Sequence, residues 1–284
     1  MTMSRVPLDP TGRICVTSPY YALDDLTETA PGSVTAGVTV QTDPGLQAAV
    51  IGLGEMGRHL AILGLCAAAT LNPRTGQHYY LARKASARVA AAGDRDGDPK
   101  LIGTAHARLP SPRRAEADTE LRDRDGGLVS RLAVEYDVVS APVFRRMFAQ
   151  RAVSTPPTPH NPYVTPPRLS GPTMRGAEAE GRITVTPEMC PGHFDGFPAF
   201  PVAVVATVMA SVVDHLVADA YPAGTRWRPV GTELEAHELV WPGETLTVSG
   251  HLADSPSAGR RARCAARVGD RVIATTETDF DPVR

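Results

Sequence analysis

Two long apolar segments dominate the pattern of hydrophobic and polar positions. Residues 45–71 and 202–218 are apolar on nearly every side instead of along one stripe, which is typical of helices buried over most of their surface. A strand-like segment precedes each of them, at 33–40 and at 181–186. Runs with strand-like composition and turns follow each of them. The pattern predicts an α+β fold with two buried helices.

The strand-like runs come in the same order in both halves of the chain. After the first helix they are 78–89, 101–109, a hairpin at 125–127 and a run ending at 137; after the second they are 227–239, 245–252, a hairpin at 269–270 and 274–281. A repeated order of elements indicates two copies of one unit. We therefore expect a tandem arrangement, in which each unit is a long central helix wrapped by an antiparallel sheet.

A proline-rich segment separates the two units. Seven prolines fall between residues 154 and 172, and proline disfavours both helix interiors and central strands. Such a segment favours an extended connector. The predicted organisation is an N-terminal unit over 1–150, a linker over 151–178 and a C-terminal unit over 179–284.

The composition of the chain limits which binding partners and which cellular location are expected. The formal charge is −2 over 284 residues, which gives no reason to expect nucleic acid or an anionic membrane as a partner. Charged residues interrupt both apolar segments, and we expect neither a secretory signal nor a membrane span. Four scattered cysteines are too few for a disulfide scaffold, so a cytoplasmic location is expected. No metal or other cofactor is required.

Glycines in the first apolar segment allow a competing interpretation. Gly52, Gly54 and Gly57 match the pattern G-x-G-x-x-G of dinucleotide-binding loops. The next strand-like run, 79–84, is distant and does not end in an acidic residue, and strands and helices do not alternate after residue 100. We therefore prefer a helix in which the glycines permit a close approach of neighbouring backbone.

The segment 191–201, PGHFDGFPAFP, carries the sharpest local motif. Its H-F-x-G-x-P-x-x-P pattern before an apolar helix, together with the turn PGETL at 242–246, resembles the β-hydroxyacyl-ACP dehydratases, which are hotdog proteins. The resemblance covers about residues 180–283 and implies that His193 is catalytic. That family places an acid fourteen residues after the histidine, where this chain has Thr207.

The first half resembles a second hotdog family. Residues 54–61, GEMGRHLA, are similar to the central helix of the A-factor biosynthesis proteins, which are double hotdogs, and 78–81 and 140–147 are similar as well. Glu55 falls on the helix acid of that family. The two resemblances together imply one acyl-thioester site between the units, with His193 as base and Glu55 as acid.

Elementary chemistry fits these implied roles. A histidine with an ordinary pKa of about 6.5 is a competent base near neutral pH. We expect burial to raise the pKa of Glu55, as a general acid requires. The N–H of Val202 at the start of the second helix is a candidate oxyanion donor. We also assign Gly196, Thr207 and His59 to the substrate pocket.

The resulting hypothesis is a lyase. We expect a dehydratase of β-hydroxyacyl thioesters, acting on a chain carried by an acyl carrier protein in polyketide or fatty-acid-like secondary metabolism. The alternatives are an A-factor-like acyltransferase, an acyl thioesterase that uses Asp195, and a non-catalytic acyl-binding protein. Glu55 can instead pair with Arg58, and Cys190 is taken as structural despite its metal-like spacing from His193. A monomer or a homodimer is expected.

Overall fold

The computed structural model describes residues 6–10, 12–90, 100–153, 161–254 and 259–284. The helices are α1 (Leu53–Leu71), α2 (Ala141–Met147) and α3 (Val202–Ala220), with short 3₁₀ turns at Ala149–Arg151 and Pro187–Met189. The strands are β1 (Val6–Pro7), β2 (Leu23–Ala30), β3 (Ser33–Thr39), β4 (His78–Val89), β5 (Lys100–Ser111), β6 (Arg114–Arg122), β7 (Leu128–Ser140), β8 (Ser170–Arg175), β9 (Glu178–Thr184), β10 (Arg226–Ala236), β11 (Thr245–Asp254), β12 (Arg260–Val268) and β13 (Arg271–Val283).

Within the described residues the strands form one sheet of thirteen, in the order β1-β2-β3-β5-β6-β7-β4-β10-β13-β12-β11-β9-β8. Neighbouring strands are antiparallel. The pairing order β3-β5-β6-β7-β4 in the first half recurs as β9-β11-β12-β13-β10 in the second. The two halves meet where β4 pairs with β10, over the register Gly231↔Arg88 to Glu235↔Lys84.

The two long helices pack on this sheet and on each other. Helix α1 contacts β3, β5 and β6, and α3 contacts β9, β11 and β12. Both helices bury apolar residues on most of their surface, because each has strands on one side and the other helix nearby. The predicted α+β fold with two buried helices is confirmed.

The two helix predictions differ in accuracy. Helix α3 begins at Val202, as predicted, but α1 begins at Leu53 and not at residue 45. Gly45 has a left-handed backbone (φ 65°), and the N–H of Ala48 donates to the carbonyl of Trp227. The side chain of Gln47 then accepts the N–H of Leu53 at 2.8 Å. Residues 45–52 are therefore a loop held by contacts with the second half of the chain.

The predicted linker contains regular structure at its end. Strand β8 and the first residue of β9 fall within 151–178, while residues 154–160 lie outside the described part. Strand β8 is exposed at the edge of the sheet, a place where a neighbouring proline is tolerated. The proposed boundaries between units remain a prediction.

Helix α3 has the length and apolar character of a membrane span, the one such helix found in the described residues. More than half of its apolar window, 56%, is buried inside the protein. Packing in the core therefore accounts for its hydrophobicity.

The glycine pattern belongs to a helix and not to a nucleotide-binding loop. Gly54 and Gly57 lie inside α1. A Cβ on Gly54 would lie 2.8 Å from the Cα of Thr207 on α3, whereas a Cβ on Gly57 would meet nothing within 4 Å. The predicted close approach is confirmed at Gly54 and is wrong at Gly57.

Candidate active site

An apolar cavity of about 170 Å³ lies between the two long helices and the sheet, beside the junction of β4 and β10. Side chains from α1, α3, β4, β7, β10 and β13 line it. Most of these side chains are aliphatic or alanine. Among the polar exceptions, His193 and Tyr20 lie next to each other, with ring centroids 4.8 Å apart. The cavity thus combines a large apolar wall with a titratable group.

The loop before α3 fixes the position of His193. Its Nδ1 lies 2.8 Å from the carbonyl oxygen of Ala199, and its ring stacks on Phe194 at 3.9 Å between centroids. Gly192 has φ 74°, and a Cβ there would meet the backbone of residues 17 and 18. A carbonyl only accepts, so Nδ1 carries the proton and the lone pair of Nε2 stays available.

Burial decides the charge of His193. Desolvation lowers its pKa to about 4, against a smaller opposing effect of the hydrogen bond to Ala199. The imidazole is therefore neutral at physiological pH. A neutral imidazole with a free Nε2 is able to accept a proton from water or substrate.

Glu55 is held as a carboxylate by the loop before α1. Its Oε1 accepts the N–H of Gln41 at 2.5 Å, and its Oε2 accepts the N–H of Thr42 at 3.1 Å and the Thr42 hydroxyl. Burial opposes ionisation, but these bonds and His59 outweigh it, so the pKa is lowered. The predicted rise in the pKa of Glu55 is wrong, because the hydrogen bonds from Gln41 and Thr42 and the nearby His59 favour the charged form.

Glu55 and His193 also border different cavities. Glu55 lines a second, smaller cavity of about 60 Å³, together with Arg58, Tyr163 and Thr207, whereas His193 lines the apolar one. Helices α1 and α3 contact each other, and Ala203 on α3 borders both cavities. The structure therefore does not bring the predicted base and acid together in one pocket.

The other predicted pocket residues are divided among three places. Val202 begins α3 and lines the apolar cavity, and Thr207 lines the second cavity, with its hydroxyl donating to Ala203 at 3.0 Å. Gly196 lies at the surface, where its carbonyl accepts the N–H of Val153, and it lines neither cavity. His59 is fully buried, with Nε2 3.5 Å from Glu55, and lines neither cavity.

Two further polar residues of the motif have local partners. Asp195 is exposed and accepts the Thr17 hydroxyl at 2.9 Å. The Sγ of Cys190 lies 3.7 Å from the carbonyl of Thr186. In the described ranges no group of three or more histidine, cysteine or acidic side chains is placed to hold a metal ion.

Arg58 is a site residue that the sequence patterns indicate only as an ion-pair partner of Glu55. Its side chain is 2% exposed, and it lies over the Tyr163 ring, 5.3 Å from the centroid. Arg58 and Thr207 are each the sixth residue of their helix, so they occupy equivalent positions on α1 and α3. The spacing of fourteen residues from the histidine instead makes Glu55 the equivalent of Thr207. An arginine within a mostly apolar helix is the signal that could have identified it.

Comparisons with known proteins bear on the fold. No model of a known protein family matches the chain, and no curated protein matches it. Solved structures do match: the 12:0-ACP thioesterase from Umbellularia californica has TM-score 0.59 and 10% identity over 89% of this chain and 95% of that one. A putative oleoyl thioesterase from Lactobacillus plantarum has TM-score 0.57 and 12% identity, over 90% and 100%.

A third match names the fold itself. A conserved protein of unknown function with a hotdog fold, from Alicyclobacillus acidocaldarius, has TM-score 0.55 and 12% identity over 95% of this chain and 99% of that one. This chain has a hotdog fold. In all three comparisons the likeness extends over both halves of the chain, although few residues are identical.

Proposed function

We propose that this chain is an acyl-thioester hydrolase with two hotdog units in tandem. The observation that carries the proposal is a neutral, fixed His193 on the wall of an apolar cavity between the two long helices. The fold supports it, because two of the matched structures are described as thioesterases. The repeated pairing order of the strands supports the tandem arrangement.

The dehydratase prediction is wrong. The matched acyl-ACP and acyl-CoA proteins are described as thioesterases, which favours hydrolysis over elimination of water. The structure agrees, since Glu55 is an ionised, fully bonded carboxylate in another cavity. The predicted lyase class and the placement in polyketide biosynthesis have no support.

In the proposed reaction His193 acts as general base. Its Nε2 takes a proton from a water molecule, and the resulting hydroxide attacks the thioester carbonyl carbon. The carbon–sulfur bond then breaks, and the leaving thiolate takes the proton back from His193. The products are a carboxylic acid and a thiol. The free N–H at the start of α3, at Val202, is the proposed donor to the oxyanion.

The apolar cavity is the proposed site for the acyl chain. Its walls expose aliphatic side chains and alanines from both helices and from the central strands, so burial of an alkyl chain there is favourable by about 0.8 kcal/mol for each methylene group. Acyl carrier protein or coenzyme A would carry the thioester. The four free cysteines fit the proposed cytoplasmic location.

Release of thiol from dodecanoyl-CoA and from a dodecanoyl carrier protein tests this proposal. His193→Asn retains an N–H able to reach the Ala199 carbonyl but removes the base, and we expect the rate to fall by about 10²- to 10⁴-fold. The matched control is His251→Asn, an exposed histidine on β11, which should keep the rate. Circular dichroism checks that both variants fold.

The pH profile adds an independent criterion. Because the folded pKa of His193 is about 4, kcat/KM should stay level from about pH 8 to pH 6, where an ordinary histidine would begin to lose activity. A rate unchanged in His193→Asn refutes the role of the base. Tight binding of the thioester without any turnover in the wild type would instead identify an acyl-binding protein.

A further inference from the structure

The apolar cavity reaches the surface near helix α2. Among the residues that line the cavity, the exposed ones are Arg83, His237 and Glu238, and they mark its opening. Arg83 donates to the carbonyl oxygen of His237 at 3.3 Å and lies 3.6 Å from Asp137. Asp137 is near the end of β7, the strand that leads directly into α2. The opening and α2 therefore share one side of the protein.

Helix α2 also packs on the loop that holds His193. Its buried Phe144 stacks on Tyr79, with 3.7 Å between the ring centroids, and lies 5.5 Å from the Phe194 ring. Phe194 lines the apolar cavity and stacks in turn on the His193 ring. Packed aromatic rings thus connect the buried side of α2 with the proposed base.

The opposite side of α2 exposes apolar groups next to an arginine. Val143 and Met147 are 37% and 56% exposed, and Arg146 shares their face, because residues three and four positions apart are neighbours on a helix. Val153, whose N–H donates to the His193 loop at Gly196, is exposed as well. Exposed apolar side chains gathered in one place are typical of an interaction site.

The same segment carries positive charge without acidic partners. Residues 141–151 include three arginines and no acidic residue. Arg151 pairs with Glu244 at 3.3 Å, and Arg145 contacts Tyr79, but neither Arg145 nor Arg146 forms an ion pair with a residue that the structure describes. Both are exposed. Exposed arginines of this kind create a positive potential that attracts an acidic surface.

We propose that the exposed face of α2 docks an acidic acyl carrier protein, which delivers the thioester to the cavity. This inference rests on the proposed hydrolase and names the carrier of its substrate. Arginine and methionine are enriched at protein–protein interfaces, and an acidic surface with apolar side chains complements both. The phosphate groups of coenzyme A would engage the arginines but would leave Val143 and Met147 without a partner.

Hydrolysis of a dodecanoyl carrier protein and of dodecanoyl-CoA by the same variants tests the proposal. Arg146→Glu should lower kcat/KM on the carrier protein by about tenfold or more, chiefly through KM, because it sets a negative charge against an acidic surface. On dodecanoyl-CoA the same variant should stay within about twofold of the wild type, since a charge at the rim acts mainly on its own partner. Met147→Ser should show the same selectivity with a smaller loss.

The matched control is Arg175→Glu, which makes the same charge change on the exposed edge strand β8 and should leave both rates unchanged. Losses of equal size on the two substrates in Arg146→Glu would assign this arginine to the phosphates of coenzyme A and refute the proposal. An unchanged rate on the carrier protein would refute it as well.

Binding of the unacylated carrier protein separates this inference from the proposed activity. Titration of a fluorescently labelled carrier protein, followed by anisotropy, should give a Kd that rises with salt and rises by about tenfold or more in Arg146→Glu. If such binding is present but neither thioester is hydrolysed, the hydrolase is refuted while the docking face stands. If the carrier protein does not bind, or binds equally well to Arg146→Glu, the docking face is refuted whatever the activity.

Discussion

At the scale of single residues, local donors decide whether a buried acid and a buried base carry charge. His193 is desolvated and donates one hydrogen bond to the Ala199 carbonyl, so its pKa falls to about 4. Glu55 is also desolvated, but backbone and hydroxyl donors from Gln41 and Thr42 lower its pKa. Burial therefore makes His193 a neutral base, while Glu55 remains charged and ties the loop before α1 to the helix.

Replacement of Glu55 tests how much its hydrogen bonds to the loop before α1 stabilise the protein. Glu55→Gln should lower the free energy of unfolding by about 2 kcal/mol near pH 7, since charged acceptors form the stronger hydrogen bonds. The folded pKa lies below the ordinary value of 4.5, so the contribution is complete above that pH and is lost as the pH falls through the folded pKa. Urea unfolding at about pH 7 and pH 4 should show the difference between wild type and variant shrinking.

A surface glutamate is the control for that series. Glu135 is exposed on β7, and Glu135→Gln should change stability by less than about 0.5 kcal/mol at either pH. A Glu55→Gln protein as stable as the wild type at neutral pH would show that the carboxylate is not needed to hold the loop.

At the scale of elements, the crossing of α1 and α3 depends on one glycine. A Cβ on Gly54 would lie 2.8 Å from the Cα of Thr207, and backbone cannot move aside as a flexible side chain can. Gly54→Ala should therefore destabilise the protein by about 1–3 kcal/mol, although alanine is the better helix former. Thermal unfolding measured by circular dichroism tests this expectation.

Gly57→Ala is the matched control on the same helix. Nothing lies within 4 Å of the position that a Cβ would occupy there, so the helix propensity of alanine should raise stability by up to about 1 kcal/mol. Opposite signs for the two substitutions support the close crossing at Gly54. A gain in stability for Gly54→Ala would show that the helices have room to separate.

The helices and strands also show which elements can be predicted from sequence patterns and which cannot. All-round apolarity is sufficient to predict α3, and strand-like composition is sufficient to predict β3 and β4, because these signals are local. The start of α1 cannot be predicted in this way, since the loop before it is set by Gln47 and Trp227, which are far apart in sequence. The His193 motif is visible in the sequence, but the separation of Glu55 into another cavity depends on how the helices cross.

At the scale of the whole molecule, the two halves share their core. Strands β4 and β10 join the sheet, the long helices touch, and residues from both halves line the apolar cavity. Ion pairs across the junction, such as Lys84 with Glu235 at 3.6 Å, are about half exposed and contribute little. Backbone pairing and shared apolar burial therefore hold the halves together.

This arrangement predicts that both halves unfold in one step. The two tryptophans, Trp227 and Trp241, both lie in the second half, and the Trp241 ring lies 5.1 Å from the Phe148 ring of the first half. Tryptophan fluorescence therefore reports the second half and its contacts with the first, whereas far-ultraviolet circular dichroism reports the whole sheet. Urea transitions followed by the two probes should coincide in midpoint and slope, as two-state unfolding requires. If the fluorescence transition separates from the circular dichroism transition, each half has a core that is stable by itself and the shared cavity adds little to the stability of the fold.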